Sequence, residues 1–144
     1  MAFCERLSEQ LCIVATIDPI AMTATTAVSD VFSMALHRRA LFILQTGAAF
    51  VAGTVLIQEG PVVGMTGSAT ILTGAATAIT AVATQYLFEV SAEAMADGMI
   101  FLRASIAGLT ATNPISMVVL ADVERYSPGT DHDLATVVIA GVAN

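Results

Sequence analysis

The chain contains no lysine and no tryptophan, and its positive charge rests on five arginines: Arg6, Arg38, Arg39, Arg103 and Arg125. Against twelve acidic residues this leaves a formal charge of −7. A nucleic-acid-binding surface needs a basic footprint, so the balance argues against direct contact with nucleic acid. Without lysine there is also no phosphate-cradling glycine loop of the kind that ends in Lys. The two cysteines, Cys4 and Cys12, lie in the first dozen residues with no histidine or second thiol pair nearby, so no zinc site is expected. They are either small residues of a reduced chain or, on an N-terminal arm that reaches a neighbour, the makings of an inter-subunit disulfide. No cationic stretch precedes the first apolar residues, so no secretory signal is expected.

Apolar residues are abundant instead, at 56% against 12% charged, where about 25% charged is usual. Much of that apolar share is alanine, interrupted by threonine and glycine. Such a surface suits pleated sheet and close protein contact, and low charge is common where partners cover a subunit. At 144 residues the chain is long enough for one domain with its own core.

Two uncharged tracts, 40–58 and 60–88, raise the question of a membrane span. A spanning helix needs about 20 mostly apolar residues with few breakers. Gln45, Gly47, Gly53 and Thr54 interrupt the first tract, and Gly60, Pro61, Gly64, Gly67 and Gly74 the second. Neither has an aromatic belt. The stretch Met34–Gln58 therefore reads as a buried β-hairpin: two apolar runs, Ala40–Leu44 and Thr54–Ile57, joined by the small-residue link Gly47–Gly53. Glycines in that link suit a turn with positive φ.

Alternation and turn residues place further strands along the chain. Leu11–Ile17 reads as a strand ending at a turn, Asp18-Pro19. Ile20–Val28 and Val31–Leu36 follow as strands separated by Ser29-Asp30. Ile71-Leu72 and Ala78–Val82 are short strands or helical turns, and Tyr86–Ser91 is a strand. Ala92–Gly98 is a helical turn closed by glycine. Met99–Ile106, with Arg103 facing out, and Ile115–Val123 are strands, and Leu134–Val142 is a strand or tail after a polar loop. About eight short strands with regular turns predict an all-β, single-domain β-sandwich or barrel of jelly-roll type. A short N-terminal arm or helix, 1–10, would precede a domain spanning 11–144.

Candidate chemistry is sparse. Asp131-His132-Asp133 is the most metal-like cluster, but adjacent side chains do not converge on one ion, and a solvated loop at Pro128-Gly129 accounts for them. Glu89 and Glu93 have the spacing of paired carboxylates, yet a strand at Glu89 need not put them on one face. No Gly-x-Ser-x-Gly elbow or histidine triad is present. An enzyme is not expected, and neither is a catalytic, metal or cofactor site. His37, Arg38 and Arg39 could take a phosphate or a carboxylate. In so acidic a protein they are better read as meeting acids on a partner, which makes Arg38, Arg39, Arg103 and Arg125 the candidate interface residues.

Three pieces of the chain resemble small β-rich structural proteins of tailed bacteriophages. They are Ile17-Asp18-Pro19-Ile20-Ala21, the run from Ser33 to Gly47, and Phe101-Leu102-Arg103-Ala104 leading into Val118–Tyr126. They fall in order across 15–126, and the glycine-rich residues 60–83 depart from the pattern. The resemblance implies a head decoration or cement subunit, made in the host cytoplasm and carried on the capsid surface of the virion. Its implied partners are the major capsid protein and two further copies of itself, as a homotrimer sited where capsid subunits meet. A tail or neck subunit and a small membrane protein are the alternatives.

Overall fold

A computed structural model describes residues 11–22, 25–70, 77–109 and 113–122. The ten strands found there are β1 (Leu11–Met22), β2 (Thr26–Val28), β3 (Phe32–Ser33), β4 (Arg39–Thr46), β5 (Gly53–Gly60), β6 (Ala69–Thr70), β7 (Thr77–Ile79), β8 (Gln85–Ser91), β9 (Phe101–Ala107) and β10 (Asn113–Asp122). They form two antiparallel sheets packed face to face, a β-sandwich not closed into a barrel. The four-stranded sheet runs β1-β10-β4-β8. The larger one runs β2-β9-β5-β6, with β3 also on β9 and β7 also on β5. Among the described residues no helix is long and apolar enough to cross a membrane.

The core follows from strand parity. In the four-stranded sheet, register aligns Cys12–Ala121–Ala40–Val90, Ala15–Val119–Phe42–Phe88 and Ile17–Met117–Leu44–Tyr86 as inward rows. Leu102, Ala104 and Ile106 of β9 and Val55 and Ile57 of β5 answer them from the other sheet. Phe42 meets Phe32 across the interior, ring centroids 6.0 Å apart. Glu59 also points inward, opposite Leu102, and stays buried because its Oε2 accepts the Ala96 N–H at 3.0 Å. That bond ties down the segment after the 3-10 turn Ala92–Ala94, which Gly98 leaves at φ +79°.

Several expectations need correcting. The runs Ala40–Leu44 and Thr54–Ile57 are not a hairpin: β4 and β5 belong to different sheets. Their link crosses between layers about 10 Å apart, which a tight turn could not do. Gly47 and Gly53 do not have positive φ; they are needed for close approach, Gly47 to Pro114 and Gly53 to Leu109 and Ile106. Asp18-Pro19 does not end a strand. β1 continues to Met22, and its register shifts between Ile17 and Ile20, a bulge on an edge strand where proline is tolerated. Among the described residues of Ile20–Val28, those to Met22 belong to β1 and Thr26–Val28 to β2, in different sheets, and Val31–Leu36 keeps only Phe32–Ser33. Residues 1–10, Ile71-Leu72 and Leu134–Val142 lie outside the described residues.

Candidate interaction surface

The sequence candidates do not gather into one patch. Arg39 opens β4 on the outer face of the four-stranded sheet, with Arg38 exposed beside it. Arg103 stands on the outer face of the opposite sheet, where its Nε donates to Gln58 Oε1 at 2.8 Å. Arg125, Cys4 and the Asp131-His132-Asp133 cluster lie outside the described residues. Cys12 is wholly buried in the inward row beside Ala121, so its thiol reaches another chain only if β1 leaves the sheet. Glu89 sits exposed on β8 and is paired to Arg39, while Glu93 lies on the 3-10 turn beyond it. Among the described residues no three His, Cys, Asp or Glu side chains gather where an ion could sit.

The His37-Arg38-Arg39 run is held by a residue that the sequence did not single out. Asp122, at the end of β10, accepts the Arg38 and Arg39 N–H groups on one carboxylate oxygen, Oδ1, at 2.8 and 2.9 Å. Its main-chain carbonyl faces His37 Nδ1 in a short contact. A carbonyl can only accept, so Nδ1 carries the proton. His37 is buried as a result, and the expectation that its ring could face a phosphate is not met. Asp122 thus fixes where the two arginines leave the sheet. Asp122→Ala should cost about 2 kcal/mol by orphaning two donors of charge-assisted bonds. Asp122→Asn keeps an acceptor and should recover part of that loss. Urea midpoints would read both, and equal losses would mean that the acceptor oxygen is not what matters.

Around this corner the outer face of the four-stranded sheet is apolar. Register sets out two rows, Ile13–Leu120–Leu41–Glu89 and Thr16–Val118–Ile43–Leu87, and below them the polar row Ser116–Gln45–Gln85. Leu87 is 64% and Val118 37% exposed. A crevice of about 270 Å³ opens where Leu11, Leu41 and Leu120 meet Arg39, Glu89 and Asp122. The Arg39–Glu89 pair at its rim is 3.1 Å long with both side chains more than half exposed. A pair so wet adds little to stability, which leaves both groups available to a partner. A second, open hollow of about 380 Å³ lies at the far end of the same sheet, between Pro19, Gln45, Gly47, Pro114 and Ser116.

Comparison with known proteins adds no relative: no protein-family model matches the chain, and searches of curated proteins and of solved structures return no significant match.

Proposed function

We propose that this protein is a non-enzymatic structural subunit of a bacteriophage virion, a decoration or cement protein on the outside of the head. The observation that supports it best is the apolar outer face of the four-stranded sheet, with Arg38 and Arg39 fixed at its corner by Asp122. Apolar side chains arrayed on an outer face suit a protein that works by contact area. A standard interface buries about 1,600 Å² in total, and a decoration subunit repeats its interface many times over one shell. The resemblance of Ser33–Gly47 and of the Phe101–Ala104 and Val118–Tyr126 pieces to phage structural proteins supplies the finer placement.

The test is co-sedimentation of the purified chain with expanded heads, stripped of it, from the phage that encodes it. Saturable binding at many copies per head is expected. The Arg38→Ala/Arg39→Ala double variant should bind at least about tenfold more weakly, since partner contacts made by charged anchors are costly to truncate. Binding to tails and not to heads would overturn the head placement in favour of a tail or neck subunit. Partition into membranes would overturn both.

A further inference from the structure

The four edges of the sandwich are not treated alike. On the larger sheet the outer strands are short: β2 and β3 on one side have three and two residues, β6 and β7 on the other two and three. On the four-stranded sheet, β1 is interrupted by two register shifts, carries Pro19 and the exposed Asp18, and has the Asp30 carboxylate against its Thr16 N–H at 3.5 Å. Short strands, bulges, proline and charge are the devices that keep a sheet edge from recruiting another strand. β8 has none of the first three. It is seven residues long, Gln-Tyr-Leu-Phe-Glu-Val-Ser, in unbroken register with β4, and among the described residues no strand lies on its other side.

Parity shows which groups face that edge. Thr46 N–H donates to the Thr84 carbonyl and Ala92 N–H to the Arg38 carbonyl, so even-numbered residues of β8 turn their main-chain groups to β4. Gln85, Leu87, Glu89 and Ser91 turn theirs outward. Tyr86 and Phe88 point into the core yet stay only partly buried, because their outer flanks end at the same edge.

We infer that β8 pairs antiparallel with β8 of a second copy of this chain, about a two-fold axis through Phe88, joining two four-stranded sheets into one of eight. The parity admits only registers that pair odd residues with odd. Centring on Glu89 would set like charges directly opposite. Centring on Leu87 would leave Ser91 facing Ala83, whose φ of +49° is not extended. Centring on Phe88 pairs Gln85 with Ser91 and Leu87 with Glu89 over the full strand. On the core side it sets Phe88 against Phe88 and Tyr86 against Val90, aromatic and aromatic–β-branched pairs of the kind that stabilise antiparallel ladders. Each Glu89 keeps Arg39 beside it on its own sheet, so the strand's one charge does not oppose the contact. An isologous pair of this kind needs no capsid and is independent of the head placement; trimers built through another face would be linked by it two by two.

Sedimentation velocity of the isolated full-length chain, with two substitutions at the exposed Leu87, tests the register directly. Wild type should form a dimer or a larger even-numbered assembly. Leu87→Glu places a carboxylate opposite Glu89 of the other copy, twice per dimer, and should raise the dissociation constant at least tenfold. Leu87→Lys places an ammonium opposite the same carboxylate and should keep the assembly while making it salt-sensitive. A wild-type chain that stays monomeric at tens of micromolar, or that forms only a trimer, would overturn the inference. So would equal weakening by Glu and by Lys.

Discussion

Phe42→Ala should lower the unfolding free energy by about 3–5 kcal/mol, the range for truncating a fully buried aromatic ring. Phe42 has no exposed surface, lies between Val119 and Phe88 in the central inward row, and packs on Phe32 of the other sheet. Its removal would take away a contact inside one sheet and a contact between the two. Neither neighbour can slide in, since both are fixed by main-chain pairing to β4. The expected loss exceeds half of a marginal domain's stability at the low end of the usual range, about 5 kcal/mol. A urea melt would measure it. A loss under about 1 kcal/mol would show that the interior closes over the gap and that Phe42 is not its centre.

Gly47→Ala should cost about 3 kcal/mol although it adds one methyl group, the upper end of what overpacking does. A Cβ on Gly47 would sit 2.6 Å from Cγ and 2.9 Å from Cβ of Pro114. The proline ring is stiff, and Gly47 N–H donates to the Pro114 carbonyl at 2.8 Å, so the two main chains cannot part without losing that bond. Gly64→Ala is the control: its nearest neighbour would be 3.8 Å away. There the substitution should be neutral or slightly stabilising, through reduced freedom of the unfolded chain. Equal melting temperatures for the two variants would refute the steric account of Gly47.

The strands with clean alternation were readable from the residues alone. β4, β8 and β10 fall within a residue or two of where Ala40–Leu44, Tyr86–Ser91 and Ile115–Val123 predict them, and β5 covers Thr54–Ile57 and runs three residues further. Alternation states which residues share a face but not which sheet a strand joins, and so neighbouring runs read as a hairpin turned out to face one another across the core. Proline at Pro19 looked like punctuation because its missing N–H is costly only where a second strand would use it. At the surface, the arginine pair was visible as an isolated cationic step. Its anchor was not: Asp122 is 84 residues from Arg38, and nothing in the β10 alternation distinguishes it from any polar strand end. The outward stripe of half-buried Leu41 and Ile43 with exposed Leu87 was hidden for a related reason, since both faces of β4 are apolar.

The place of β10 between β1 and β4 bears on how the protein is made. As the chain leaves the ribosome, β1 emerges first, and the strand it lies against is the last one described. Until Asn113–Asp122 has been synthesised, β1 has no neighbour in its sheet and the central β4 has one bare side. Assembly of that layer therefore waits for β10, and a nascent or truncated chain that stops short of it leaves two greasy strands open to the wrong company.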